Sequence, residues 1–462
     1  MATIYGANSV SGYDVANSVR FNADAYMVKD IVTPTNQKKY TISAWVKRSK
    51  LASRQRIFTV IDTSSTAAYS YLEFQTDDKL NFDDFDGSST RLTRTTTNAF
   101  RDPSAWMNII IAVDTTQSTG SNRVKMYING TQVSSFGTET NASQNFDTTT
   151  LNSNKTFRIG EHGTAGFRFG GYMCEFVLID GLQLDQTSFG EFDEDSPTIW
   201  KPIDVSGLTF GNNGFYLDFE DSGNLGNDAN GGTDLTETSL AATDQSTDTC
   251  TNNFATLNPL HFGTTGTSNT ALSEGNLKFV STQGGSPYPY YISTMAVSQG
   301  KWYAEFKFVS SDSGTAGIGN GLADQYAGNN AYDYSYYFDG RLYNGGSGES
   351  TGYGAVSNND IVGCALDLDN NKIYFHINGS YQASGDPTNG TGGKSITAAA
   401  SNGTEVYHFE VGDSGANQPT IECNFGSPAF SISSGNSDGR GYGNFEYSVP
   451  SGYYALNSKN LA

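Results

Sequence analysis

Three short runs of carboxylates are where this 462-residue chain could do acid–base or metal chemistry. Hydrolysis of a glycosidic bond with retention needs two carboxyl groups about 5–5.5 Å apart. E-x-D-x-x-E is a known pattern that supplies them from one strand; of its members, the first two, two residues apart, share a face. Glu191-Phe-Asp193 opens such a run, but Ser196 stands where the second glutamate belongs and Pro197 follows at once, so the segment reads as an acidic loop. Asp367-Leu-Asp369-Asn-Asn371 imitates the start of a calcium loop. Its sixth position holds Lys372 in place of Gly and its twelfth holds Asn378 in place of Glu, which leaves a hairpin turn. Asp83-Asp84-Phe-Asp86-Gly87 places three carboxylates in what reads as a loop. Calcium is the cation such oxygens suit; a solvated acidic loop is the plainer reading.

A different chemistry is offered by tyrosines set among Asn and Gly. Flat rings meet the apolar faces of sugars, and a few placed polar groups meet the hydroxyls. Tyr288-Pro-Tyr290-Tyr291 and the stretch Tyr326 to Tyr337 are rich in both kinds of group. Tyr326 and Tyr332 lie in Asn/Gly-rich sequence and are expected to be exposed; Tyr334 to Phe338 are expected in the core on the ground of the second-half family resemblance described below. Tyr288, Tyr290, Tyr326 and Tyr332 are therefore the candidate carbohydrate contacts. Trp45, Trp106 and Trp302 lie on apolar strands and should be core. The four histidines (His162, His261, His376, His408) and four cysteines (Cys174, Cys250, Cys364, Cys423) are scattered, with no H-E-x-x-H or C-x-x-C. Cys364 and Cys423 fall inside apolar strand patterns and read as small core residues. No Ser-His-Asp order, G-x-S-x-G or phosphate-cradling loop stands out against a background of 52 glycines.

The elements that must position these groups are strands. Apolar residues make up 36% of the chain and charged residues 16%, both below the usual ~45–50% and ~25% of soluble domains. Aromatic residues reach 13%, and Ser, Thr, Asn and Gly carry the polar share. Such a mixture suits short strands and tight turns. Thr41-Ile-Ser-Ala-Trp-Val-Lys47 and Tyr71-Leu-Glu-Phe74 alternate, and Trp106 to Asp114 is a near-continuous apolar run, as for a strand buried on both faces. Arg123 to Ile128, Asn129-Gly130 and Thr131 to Val133 form the strand–Asn-Gly–strand signature of a hairpin. The second half repeats it: Asp360 to Asp367, then Lys372 to Ile377, Asn378-Gly379 and Ser380 to Gln382. Two variants of one sandwich architecture are expected, with domains over residues 1–205 and 260–462. Residues 206–259, poor in apolar side chains after Gly214 to Phe219, read as a final strand plus a polar connecting segment.

The net charge of −21 makes nucleic acid and anionic membranes unfavourable partners. Met1-Ala-Thr-Ile-Tyr-Gly lacks the basic and apolar regions of a secretory leader, and no run approaches the ~18 apolar residues of a membrane span. Synthesis in a cytoplasm without the usual export is the expectation.

The run Thr41 to Val46, with Trp106 to Asp114 and Lys125-Met-Tyr-Ile-Asn-Gly, resembles the laminin-G-like, concanavalin A-like lectin fold over roughly residues 10–185. Gly300-Lys-Trp-Tyr-Ala-Glu and Asp360 to Gly379 resemble the early strand and central hairpin of an SPRY domain. Ser188-Phe-Gly-Glu, Trp200-Lys-Pro, Thr251 to Pro259 and Pro450 to Asn457 are similar to segments of structural proteins of tailed phages. The resemblance implies an all-β chain of two antiparallel jelly-roll sandwiches on a virion surface. It implies contacts with other virion proteins and a host-surface glycan, without membrane insertion, and a homo-oligomer with a trimer favoured. Calcium near the ligand site is also a feature of several lectins of this fold. Three functions follow in order: a non-catalytic tail-fibre or receptor-recognition module, a capsid decoration or head/tail structural protein, and last a polysaccharide-degrading enzyme.

Overall fold

The computed structural model describes residues 12–22, 24–62, 65–163, 166–262, 270–282, 288–322, 326–350, 352–415 and 417–462. Regular structure is almost all strand, with short 3-10 turns and one turn of α-helix at Ser458–Leu461. Among these residues no helix is long and apolar enough to cross a membrane. The chain divides into two compact units, Met1–Asn253 and Phe254–Ala462.

The first unit is a sandwich of two eight-stranded sheets. In one, Lys39–Arg48 lies between Met107–Asp114 and Gly171–Asp180, all antiparallel. In the other, the order runs Phe136–Thr140, Thr90–Ala99, Lys79–Phe85, Ser65–Phe74, Gln55–Asp62, Thr156–Ile159, Tyr26–Asp30, Thr236–Thr238. Strand alternation decides the core: Ile42, Ala44, Val46, Ile109 and Ile111 from the first sheet meet Phe58, Val60, Leu72, Phe82 and Phe157 from the second. Each of the Ile, Val, Leu and Phe side chains contributes ~1.5–3 kcal/mol by burial. The far face of the first sheet is also covered. Ile110, Ala112, Val177 and Ile179 lie against Phe189, Val205 and Phe210, and Trp45, Tyr172 and Cys174 against Trp106, Trp200 and Cys250. Burial on both faces is why Trp106 to Asp114 reads as a continuous apolar run.

The hairpin turn has both residues left-handed, Asn129 at φ 46° and Gly130 at φ 73°, as a type I′ turn requires. Asn378 (φ 50°) and Gly379 (φ 81°) repeat it in the second unit.

Of the final strand and polar connector expected over residues 206–259, the strand is present as Phe215–Leu217, but the remainder up to Asn253 is not a connector. Both belong to the first unit: Phe215–Leu217 pairs with Gly171–Asp180, Thr236–Thr238 with Tyr26–Asp30, and Gln245–Ser246 with Ser18–Phe21. Phe215, Leu217, Phe219, Leu225 and Leu235 enter the main core. Widely spaced apolar residues in a polar background were enough, because each fills a place in a core already formed by others.

The second unit packs a seven-stranded sheet, from Leu257–Phe262 to Ser347–Glu349, on a nine-stranded one centred on Lys301–Ser310 and Ile361–Asp367. Pairing is antiparallel except where Tyr454–Ala455 runs parallel to Lys301–Ser310. Trp302, Ala304, Phe306 and Phe308 face Ala316, Ile318, Tyr336, Phe409 and Val411 across the core, with Cys364 and Cys423 among them.

Candidate functional site

In the first unit, the second sheet turns one face away from the core, and cross-strand pairing sets its contents. Thr59 pairs with Tyr71, Tyr71 with Asp83 and Asp83 with Thr93, so one row crosses four strands. Glu73, Asn81 and Thr95 make the next row, and Tyr69 with Phe85 the row on the other side. Tyr69 stacks on Tyr71 at 5.5 Å and on Phe85 at 4.9 Å between ring centroids. The Arg56 guanidinium lies 3.2 Å from the centre of the Tyr71 ring. Two arginines, Arg54 and Arg56, hold Glu73 at 2.7 and 3.1 Å.

Hydrogen bonds lock the polar side chains. The Tyr71 hydroxyl donates to Asp83 Oδ2 (2.6 Å), Asn81 Nδ2 donates to the same oxygen (3.1 Å), and the Thr95 hydroxyl donates to Asn81 Oδ1 (2.7 Å). Asp83 Oδ1 and the Thr59 hydroxyl have no partner. Burial, with the Asp83 charge beside it, pushes the Tyr71 phenol far above its ordinary value, so it stays a donor. The face therefore combines half-buried flat rings (Tyr69, Phe85) with a fixed, half-buried carboxylate whose Oδ1 is itself buried.

The three aspartates expected as a cation site do not converge. Asp83 and Asp84 lie on the strand Lys79–Phe85, not in a loop, and alternation sends them to opposite faces. Asp84 is buried on the core side, accepts from the Thr149 backbone N–H (2.9 Å), and is pushed up to about 7 by burial. Asp86 closes the following turn, accepting from the backbone N–H groups of Ser89 and Ser88, which lower its carboxyl strongly, and from Arg91. Among the described residues no group of three or more His, Cys, Asp or Glu side chains is placed to hold a metal. Glu191 and Asp193 both pair with Lys201, at 3.3 and 3.6 Å, and Asp193 also caps the turn at Asp195 and Ser196.

All four candidate tyrosines lie in the second unit, and two of them meet. Tyr288 and Tyr326, both half-buried, meet edge to face at 6.1 Å. Tyr290, expected as a contact, is buried with Ile292 and Ala327 and packs on His261. Tyr332 is half-buried rather than exposed, and its backbone N–H donates to Asn330 Oδ1 (2.7 Å). Beneath this region lies a carboxyl pair that no sequence motif announces. A Cβ added at Gly319 would stand 2.4 Å from Glu410 Oε2 and 2.7 Å from Asp333 Oδ1. Both residues are buried, and burial, then the Asp333 charge, raises the Glu410 carboxyl well above its ordinary value.

The sheet face was not legible as a site in the sequence, because its members come from separate strands and meet only through register. The one local signal was the alternation of aromatic and acidic residues in Tyr69-Ser-Tyr71-Leu-Glu73 and Asp83-Asp-Phe85.

Residues 21–183 match a family model described as the concanavalin A-like lectin/glucanases superfamily. That span holds a domain of this type, and the sheet face lies within it. No curated protein matches the sequence. Among solved structures, the SPRY domain of human HERC1 is similar at 15% identity and a TM-score of 0.29, over 36% of this chain and 96% of that one. A heptameric SAP-like pentraxin from Limulus polyphemus is similar at 15% identity and a TM-score of 0.28, over 37% of this chain and 80% of that one.

Proposed function

We propose that the chain is a non-catalytic, glycan-binding protein of a bacteriophage particle surface, acting as a tail-fibre or receptor-recognition module. The observation that supports this most is the first unit's sheet face, where the half-buried rings of Tyr69 and Phe85 stack at 4.9 Å beside the half-buried Asp83. Flat rings take the apolar side of a sugar, and polar groups at their edge take its hydroxyls. Tyr288 and Tyr326 offer a smaller pair of the same kind in the second unit. The net charge of −21 suits a neutral or cationic ligand and disfavours nucleic acid. Other virion proteins and a trimeric assembly complete the reading.

The test is saturable binding of the labelled protein to intact host cells and to cells stripped of surface polysaccharide. Binding lost on stripping, and weakened tenfold or more by Tyr69→Ala or Asp83→Ala, is expected for contacts worth about 2 kcal/mol. No binding to either kind of cell by the assembled wild-type protein would refute the proposal, and the chain would then be treated as a decoration or scaffold part of the particle.

A further inference from the structure

Lys47, Asp248 and Asn253 meet in the first unit, from positions 201 and 206 residues apart. Lys47 Nζ donates to Asp248 Oδ2 at 2.8 Å and to Asn253 Oδ1 at 2.7 Å. The Lys47 and Asp248 side chains are each 1% exposed. Each member is fixed by a further contact. Trp106 Nε1 donates to Asp248 Oδ1 (3.0 Å), Asn253 Nδ2 donates to the Ser104 carbonyl (2.7 Å), and Lys47 Nζ stands 5.7 Å from the centre of the Tyr172 ring. A primary amine, a carboxamide and a carboxyl group are thus held together in an aromatic-walled, water-poor pocket.

We propose that Lys47 and Asn253 become joined by an isopeptide bond, with Asp248 as the proton carrier. Transfer of a proton from Lys47 Nζ to Asp248 along their 2.8 Å hydrogen bond frees the amine lone pair. The hydrogen bond to Oδ1 keeps Nζ beside the carboxamide carbon, which makes the attack intramolecular and pre-oriented. The Nζ–Cγ bond forms and the Cγ–Nδ2 bond breaks. Of the three ammonium protons, one stays on the new amide nitrogen. Two are passed to Nδ2, with Asp248 as relay, so ammonium departs and Asp248 ends as the carboxylate it began. No oxidant, metal or co-reactant enters the balance.

The bond would run from the central strand Lys39–Arg48 to the last residue of the unit. It would close a covalent loop around nearly the whole sandwich. The plain alternative is a buried ion pair with an amide neighbour, which leaves the chain's mass unchanged.

Intact mass of the full-length protein, incubated at neutral pH and then denatured, separates the two. A deficit of one ammonia is expected, together with a branched tryptic peptide that contains both Lys47 and Asn253. Lys47→Arg keeps the charge and is expected at full mass with no branched peptide; Asp248→Asn, folded by circular dichroism, is expected likewise. Wild-type protein at its full sequence mass after prolonged incubation, or ammonia lost without the branched peptide, overturns the proposal. Both of these outcomes are read on the wild-type chain, so they hold even where a substitution prevents folding. A folded Asp248→Asn protein that still forms the bond overturns the part given to Asp248.

Discussion

Glu410 projects from the strand His408–Asp413 onto the sheet face away from the core, where its Oε1 accepts from the Ser335 hydroxyl and its Oε2 has no partner. Its folded-state carboxyl titrates well above the unfolded value, because burial and Asp333 both resist the charge. A raised acid contributes stability that is fully present below its unfolded value and is lost as pH rises. Glu410→Gln keeps the shape and a donor while removing that penalty. It should raise the melting temperature at pH 8 by roughly 2–4 °C, on the order of 1 kcal/mol for a unit of this size, and change little at pH 4. Thermal melts of both proteins at the two pH values check this. Neither Glu410 nor Asp333 stands out in the sequence, since 77 residues separate them and neither sits in a carboxylate run. Asp83 and Asp84 pose the opposite problem: adjacent aspartates look like one acidic loop, yet on a strand they serve opposite faces.

Elements were legible where a turn or an alternation was encoded locally. Both Asn-Gly hairpins fall where the sequence places them, since a type I′ turn leaves few other residues acceptable. What locality could not supply was the partner across the turn. The Trp200 ring lies over Gly130, so that an added Cβ would come within 2.2 Å of it. Gly130→Ala therefore meets both a left-handed backbone and a ring, and should lower stability by more than ~1–2 kcal/mol, read as a fall in the denaturant midpoint. The segment 206–253 looks like a connector in sequence for a related reason. Its apolar residues are too sparse to suggest a core of their own, but five of them complete a core supplied by the preceding strands. Their burial amounts to roughly 7–15 kcal/mol at ~1.5–3 each, comparable to the whole stability of a domain. A chain ended at Val205 should accordingly show no cooperative unfolding transition, whereas one ended at Asn253 should show one; calorimetry distinguishes them.

At the scale of the molecule, both units bury acids whose carboxyl groups are raised. Burial lifts Asp84 to about 7 and Glu175 to about 8 in the first unit, and Glu305 to about 7 and Asp413 to about 6 in the second. These groups stabilise the fold most below their unfolded values near 4 and progressively less up to about pH 8. Asp78, Asp114 and Asp367 are lowered despite burial, by hydrogen bonds and by Arg101 and Arg48, Lys39 and Lys301 respectively, and work the other way: their contribution is present above about pH 4 and is lost below it. The two sets together place maximal stability near pH 5, with a decline by pH 8 that both units share. The net charge of −21 adds repulsion in the same direction, so added salt should recover part of the loss. Melting temperatures measured from pH 4 to 9 at low and high ionic strength check both statements; a maximum at pH 8 would refute the first.

The pairing of Gln245–Ser246 with Ser18–Phe21 has one more implication. Within the first unit the way in and the way out lie side by side on neighbouring strands. A sandwich arranged so behaves as an interchangeable cassette: it can be spliced into a surface loop of another protein, or copied in tandem, while the host chain barely parts to admit it. Exchange of such cassettes would let one framework acquire a new outer sheet face without redesigning anything behind it.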